Sequence, residues 1–121
     1  MPKSSNDNRI DYVEFNVGDI ARSRDFYGKA FGWSFKDYGP SSCEFNDGRL
    51  TGGFALAGDG NASGRAGGPL VILYARDLDD AQRRVENAGG TIIKPAYSFP
   101  GGRRFHFSDP DGYELAVWSD G

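Results

Sequence analysis

The chain repeats its own pattern after 58 positions, and this repeat limits the folds that it can adopt. In each copy an alternating apolar run is followed by an aspartate and then, after a longer interval, by a glycine. A chain built from two similar units usually has its working surface where the units face each other. The matched positions are Tyr12 and Leu70, Asp19 and Asp77, and Gly32 and Gly90.

The first copy begins with a strand that has one apolar face. The segment 10–17 alternates with a period of two, so Val13 and Phe15 point to one side and Tyr12 and Glu14 to the other. Asp19 is typical of a helix N-cap and Gly32 of a helix end, which predicts a helix over 21–30. Three further strands are predicted at 33–38, 42–45 and 50–56.

The second copy repeats this order of elements. Val71 and Leu73 occupy the apolar positions of its first strand, and Asp77 caps a helix predicted over 79–88. Three strands then follow at 91–94, 103–107 and 114–118. The predicted fold class is therefore α+β, with two βαβββ modules in one compact domain. Its predicted parts are a flexible N-terminus at 1–9, a first module at 10–57, a Gly-rich linker at 58–68 and a second module at 69–118.

Composition excludes several classes of protein. The net charge of −3 gives no basic surface for nucleic acid. No apolar run is long enough to span a membrane and no signal-peptide pattern opens the chain, so we expect a cytoplasmic protein without nucleic-acid or membrane partners. The single cysteine, Cys43, excludes an internal disulfide and suits a reducing compartment.

Short motifs recur through the chain in a fixed order and cover roughly residues 9 to 118. They are Val17-Gly-Asp19-Ile-Ala-Arg-Ser23, Phe26-Tyr27, Phe31-Gly32-Trp33, Asp77-Leu78, Gly89-Gly90 and Asp109-Pro-Asp-Gly112. In this order they resemble the vicinal oxygen chelate superfamily, which includes glyoxalase, the bleomycin-resistance proteins and extradiol dioxygenases. The resemblance implies an open U-shaped mixed β-sheet with the helices outside it and the site on its inner face.

The resemblance also implies where metal-dependent members hold their ion, on the first and last strands of each module. Carried over by position, the ligands fall at Tyr12 and Gly52 in the first module and at Leu70 and Ala116 in the second. Three of these residues offer no side-chain donor, and a tyrosine coordinates only as phenolate, against a pKa of about 10. Because a divalent ion usually takes three or four protein ligands, we predict no metal and no cofactor.

The strand alternation predicts which residues line the inner face. The lining is aromatic, aliphatic and small with a few polar tips, which is typical of a pocket for an organic ligand. The alternative is that the same residues fill a closed barrel. Alternation alone does not decide which face of the strand 103–107 points to the inner side of the sheet. That its polar residues, Arg104 and His106, belong to the lining is therefore a hypothesis. The predicted lining is Tyr12, Glu14, Gly52, Phe54, Leu70, Ile72, Tyr74, Arg104, His106, Ala116 and Trp118.

Two functions remain open on the sequence. One is a metal-free protein that binds a small, partly aromatic molecule in the cleft between the modules. The other is an enzyme of the superfamily, similar to lactoylglutathione lyase or to another lyase or isomerase, with relocated metal ligands or with Glu14 and His106 as an acid–base pair. Glu14 either anchors a basic ligand group, acts as the base, or pairs with Arg104 or His106. Family likeness and chain length further predict a homodimer.

Overall fold

The computed structural model describes residues 7–57 and 69–121, which contain two βαβββ modules. The predicted modules and the α+β class are confirmed. The first module consists of β1 (Val13–Val17), α1 (Ile20–Phe31), β2 (Ser34–Asp37), β3 (Ser42–Asn46) and β4 (Thr51–Leu56). The second consists of β5 (Val71–Tyr74), α2 (Leu78–Asn87), β6 (Thr91–Phe99), β7 (Gly102–Ser108) and β8 (Glu114–Ser119).

Each module folds into its own four-stranded mixed sheet, and the two sheets have matching strand orders. The orders are β1-β4-β3-β2 and β5-β8-β7-β6. The first strand of each module runs parallel to the last, and all other neighbours are antiparallel. Strands β1 and β5 are therefore both edge strands, and no ladder joins them in the described part of the chain. The single U-shaped sheet that the resemblance implied is thus divided into two sheets.

The helices begin at the predicted caps. The carboxylate of Asp19 accepts a hydrogen bond from the backbone N–H of Arg22 at 3.0 Å, and Asp77 does the same for Asp80 at 3.0 Å. Helix α1 ends at Gly32, whose φ of 71° lies in the left-handed region that glycine adopts without a Cβ penalty. Helix α2 ends at residue 87, just before the predicted Gly-Gly stop.

Both helices lie between the two sheets. Tyr27 and Phe26 are neighbours on α1, but their rings contact opposite sheets. Tyr27 stacks on Phe54 of the first sheet at 5.5 Å between centroids, and Phe26 packs on Phe107 of the second at 6.0 Å. One continuous core results. The faces that point away from the helices, here called the outer faces, are therefore turned to opposite sides of the chain, instead of meeting in one cleft as the sequence predicted.

A buried aspartate joins the two modules. Asp111 lies in the turn between β7 and β8, and its side chain is only 1% exposed. It accepts hydrogen bonds from the Gly18 backbone N–H at 2.9 Å, from Arg22 Nη2 at 2.6 Å and from Ser23 Oγ at 3.2 Å. All three donors belong to the first module, so this one carboxylate ties the start of α1 to the second module.

A second aspartate of the same turn extends this joint. Asp109 accepts a hydrogen bond from the Tyr27 hydroxyl at 2.7 Å and from the backbone N–H groups of Asp111 and Tyr113 at 2.9 and 3.0 Å. Burial raises the pKa of the Asp109 carboxyl and raises the pKa of the Tyr27 phenol well above its ordinary value. The segment that the sequence predicted only as a turn is therefore also the polar joint between the modules.

Three further sequence predictions concern membrane spans, the linker and the N-terminus. No helix within 7–57 or 69–121 is long and apolar enough to cross a membrane. The predicted Gly-rich linker at 58–68 lies outside the described residues, and so does most of the predicted N-terminal segment at 1–9.

Candidate functional site

The outer face of the second sheet collects most of the predicted lining residues of the second module. Cross-strand partners share a face, and the registers of β5, β7 and β8 place these residues side by side. Phe105 and Phe107 are fully buried in the core on the other face of β7, so Arg104 and His106, which alternate with them, lie on the face away from the helices. Leu70 directly precedes β5 and lies outside its register. The residues brought together are Ile72, Tyr74, Arg104, His106, Ala116 and Trp118.

Three rings on this face form what we call the aromatic shelf: Tyr74, Phe99 and Trp118. The ring centroids of Tyr74 and Phe99 lie 5.2 and 6.2 Å from that of Trp118. The guanidinium of Arg104 lies 5.8 Å from the centroid of Phe99 at the border of the shelf. No carboxylate of the described residues lies within ion-pair distance of Arg104. The shelf therefore ends at a cation that has no counter-ion in the described part of the chain.

Four connected side chains, which we call the polar row, lead away from this cation. Arg104 Nε donates to the Tyr97 hydroxyl oxygen at 2.5 Å, and that oxygen lies 2.9 Å from His106 Nε2. His106 Nδ1 in turn lies 2.7 Å from Glu114 Oε2. His106 is 4% exposed, so both of its ring nitrogens are satisfied by protein groups rather than by water. Tyr97 and Glu114 were outside the predicted site.

A cleft of about 880 Å³ opens between the modules beside the edge strand β5. Its volume lies within the range of about 300 to 1,000 Å³ that small-molecule sites occupy. Side chains of both helix-facing surfaces form its apolar wall, and charged residues form its rim. The cleft continues around β5 to Tyr74 and Trp118, so it adjoins the aromatic shelf. The apolar wall includes Val13, Trp33, Phe45, Val71 and Leu73.

The predicted residues of the first module lie elsewhere. Tyr12 and Glu14 are exposed on the side of the first sheet that faces away from the helices. The carboxylate of Glu14 has no hydrogen bond or ion pair with another described residue. The hypothesis that it pairs with Arg104 or His106 is wrong within one chain, because both belong to the polar row and the helices separate the two outer faces. The predicted lining therefore divides into two groups.

The predicted orientation of two residues on β4 is wrong. Phe54 is 1% exposed and belongs to the core. Gly52 also faces the core, where a Cβ atom would collide with the ring of Phe45. The turn before β4 has one more residue after its glycine than the turn before β8, so Gly53, and not Gly52, corresponds to Ala116. A slip of one residue moves a side chain to the opposite face of a strand.

The positions at which relatives of this fold hold a metal do not form a donor set here. Leu70, Gly53 and Ala116 offer no side-chain donor. Burial and the nearby Glu14 carboxylate raise the pKa of Tyr12, which disfavours the phenolate needed for coordination. Within residues 7–57 and 69–121, no three His, Cys, Asp or Glu side chains lie together as a possible metal site.

Comparison with known proteins identifies a family model and several relatives. Residues 9–117 match the model of the Glyoxalase/Bleomycin resistance protein/Dioxygenase superfamily. Over 126 aligned residues the chain is 32% identical to the anthracycline biosynthesis protein DauV of Streptomyces sp. (strain C5) and 33% identical to DnrV of Streptomyces peucetius. Each alignment covers 88% of this chain but 46% of the relative, so the chain spans about half the length of these relatives. A glyoxalase-related enzyme from Fulvimarina pelagi has a TM-score of 0.79 at 22% identity, with 93% of this chain and 88% of that one covered.

Proposed function

Because the chain belongs to the Glyoxalase/Bleomycin resistance protein/Dioxygenase superfamily, we propose that it binds a small, partly aromatic organic molecule without a metal ion. The proposed site comprises the aromatic shelf, the polar row and the adjoining cleft. The observation that carries the proposal is that a surface of three aromatic rings adjoins an apolar cleft and ends at the guanidinium of Arg104, which has no carboxylate partner among residues 7–57 and 69–121. Organic-ligand sites combine a large apolar area with a few orienting polar groups in this way.

The names of the relatives support a fused-ring aromatic as the ligand class. Both curated relatives are named as anthracycline biosynthesis proteins, and anthracyclines contain fused planar rings. A planar ring system suits the shelf because Tyr74, Phe99 and Trp118 offer ring faces and edges for stacked and edge-to-face contacts. Since the chain spans about half of each relative, we carry over only this ligand class.

Metal independence is supported by the donors that the site offers. The only imidazole, that of His106, already has Tyr97 and Glu114 as partners, and its cross-strand partner on β8, Ala116, offers no side-chain donor. A divalent ion bound there would keep too few protein ligands for a stable site.

Binding to a defined probe tests this function. We expect protein treated with EDTA to bind 2-methoxyanthraquinone saturably, with quenching of tryptophan fluorescence as the ring system covers Trp118. The melting temperature should be the same with and without EDTA, because a structural metal would stabilise the native state by mass action. Binding that appears only after manganese, nickel or zinc is added would contradict the metal-free function.

We also propose that two copies of the chain complete the site. Strands β1 and β5 are both edge strands of the described sheets, and an edge strand is a template for pairing with another chain. If β1 of one copy pairs with β5 of the other, the first sheet of one copy continues into the second sheet of the other. The outer faces of these two sheets then lie side by side. Tyr12 and Glu14 would then return to the site from the other copy. The exposed apolar side chains Tyr12 and Ile72 beside these edges would be covered.

The dimer gives a prediction with a matched control. Light scattering should give twice the chain mass of 13.2 kDa for the parent protein. Ile72→Arg should give a single chain, because Ile72 lies on β5 at the proposed interface and is 43% exposed. Ile93→Arg should remain dimeric, because Ile93 is 44% exposed but lies on β6, at the opposite edge of the same sheet. A parent protein of 13.2 kDa at high concentration would refute the dimer.

A second function, acid–base catalysis, is favoured by one observation, the polar row. The sequence suggested Glu14 and His106 as the pair, but they do not meet within one chain. The structure instead brings His106 together with Glu114 and Tyr97. Its Nδ1 lies 2.7 Å from Glu114 Oε2, and its Nε2 lies 2.9 Å from the Tyr97 hydroxyl oxygen. Catalysis would require the row to exchange a proton with the bound molecule.

A further inference from the structure

We propose that the ligand carries an acidic hydroxyl and that, on binding, it gives its proton to His106 through the hydroxyl of Tyr97. The inference rests on the proposed function and adds the chemical class of the ligand, a planar phenol or enol. It also assigns Tyr97 and Arg104 as the groups that touch the acidic oxygen, whereas Glu114 acts through His106 as a positioning residue.

The contacts of the polar row give its hydrogen bonds one direction when His106 is neutral and Glu114 is ionised. In that state the carboxylate only accepts, so the imidazole proton lies on Nδ1 and Nε2 is an acceptor. The hydroxyl oxygen of Tyr97 then accepts from Arg104 Nε and donates its own proton to Nε2. No buried side-chain nitrogen or oxygen of the described residues is left without a partner. The row is thus a directed chain that starts at the open guanidinium and ends at a carboxylate.

This direction allows a balanced proton transfer. The O–H bond of the ligand breaks as its proton moves to the oxygen of Tyr97, and the original proton of Tyr97 moves to Nε2 of His106. The products are a ligand oxyanion and an imidazolium, and no electrons are exchanged. The imidazolium donates to both Glu114 and Tyr97, so the Tyr97 hydroxyl is free to donate to the oxyanion. A neutral ligand becomes an anion beside the guanidinium of Arg104 without a net change of charge in the site.

The charges around His106 decide whether this transfer is favourable. The Glu114 carboxylate is in direct contact with Nδ1 and stabilises the imidazolium by a charge-assisted hydrogen bond. Lys94, the cross-strand partner of His106 on β6, opposes the imidazolium. Arg104 opposes it as well but stabilises the oxyanion, which the guanidinium can reach directly. The carboxylate of Glu114 would therefore favour the imidazolium, and the guanidinium of Arg104 would favour the oxyanion.

A hydrogen-bonded histidine on a strand usually has a structural role, and one feature distinguishes this row. A structural network closes on itself, whereas this one ends at a cation that borders the aromatic shelf and meets no carboxylate of the described residues. A bound planar molecule on the shelf would place a ring substituent at that open end.

The test compares two probes that differ only in the acidic proton, 2-hydroxyanthraquinone and its ether 2-methoxyanthraquinone. At a pH at which the free hydroxyl probe is neutral, the bound probe should show the absorption spectrum of its anion. The hydroxyl probe should bind about tenfold more tightly than the ether, as expected for one charge-assisted hydrogen bond. Because His106 is the only histidine, the imidazole nitrogen NMR signals of tag-free protein need no assignment. They should change from the neutral Nδ1–H form to the doubly protonated form with the hydroxyl probe only.

Variants locate the transfer. Tyr97→Phe should abolish the tenfold preference and leave the bound hydroxyl probe neutral, whereas Tyr38→Phe, an exposed tyrosine of the first sheet, should change neither. Arg104→Met should weaken the hydroxyl probe about tenfold and the ether little. Arg103→Met is the matched control, since Arg103 contacts Asp79 on α2 instead of the polar row.

The outcomes separate this inference from the proposed function. Equal binding of both probes, with the hydroxyl probe and His106 both neutral, would overturn the inference and leave aromatic binding intact. An ionised probe that stays ionised in Tyr97→Phe would also overturn it, because the proton would then leave by another route. If neither probe binds, both the inference and the proposed function are overturned. The NMR measurement uses the parent protein and so does not depend on the folding of any variant.

Discussion

Asp111→Ala is expected to lower the free energy of unfolding by about 3 kcal/mol, because it leaves buried donors of the other module without an acceptor. The Gly18 N–H and the Ser23 hydroxyl lose the carboxylate that satisfies them. Arg22 also loses its partner, but its side chain is 46% exposed and can return to water. The cost therefore comes mainly from the buried Ser23 hydroxyl and the part-buried Gly18 N–H. Urea unfolding of both proteins at one fixed protein concentration measures this change in the free energy of unfolding.

The control is an aspartate in an exposed ion pair. Asp37 pairs with Arg24 at 3.0 Å on the surface, and exposed pairs contribute little to stability. Asp37→Ala should therefore leave the urea midpoint nearly unchanged. An Asp111→Ala protein as stable as Asp37→Ala would show that the turn between β7 and β8 does not hold the modules together.

Trp118→Ala is expected to weaken binding of 2-methoxyanthraquinone at least about 30-fold, which corresponds to about 2 kcal/mol of binding free energy. Trp118 contacts both other rings of the aromatic shelf and reaches the adjoining cleft, so its removal divides the flat surface. Titration calorimetry is the suitable measurement, because it does not rely on tryptophan fluorescence.

An aromatic residue outside the proposed site provides the comparison. Tyr38→Ala removes a 54% exposed ring next to β2 and should bind the probe as the parent does. If Trp118→Ala and Tyr38→Ala bind the probe equally well, the shelf is not the binding surface.

Much of the fold follows from local signals in the sequence. The alternation of β1 correctly placed Val13 and Phe15 toward the helices, and Asp19, Asp77 and Gly32 mark helix ends where predicted. These features depend on neighbouring residues alone, so the sequence contains them. The placement of one module against the other depends on contacts over some 90 residues, such as Asp111 with Gly18, which no local pattern indicates.

The candidate site was only partly predictable for the same reason. The predicted strand ended at Lys94, just before Pro95, but β6 continues to Phe99. β6 is an edge strand with register shifts around the proline, where a missing N–H costs no ladder hydrogen bond. Tyr97 was missed in consequence. The alternation of Tyr97 and Phe99 was the available signal.

The most direct test of the central claim is to locate a bound planar molecule on the protein. Amide chemical-shift mapping with 2-methoxyanthraquinone, with and without EDTA, gives that location and the metal dependence together. We predict the largest changes at Tyr74, Phe99, Arg104 and Trp118, and the same changes with and without the chelator. Changes confined to residues 13–56, or changes that disappear when EDTA is added, would contradict a metal-free ligand site on the second sheet.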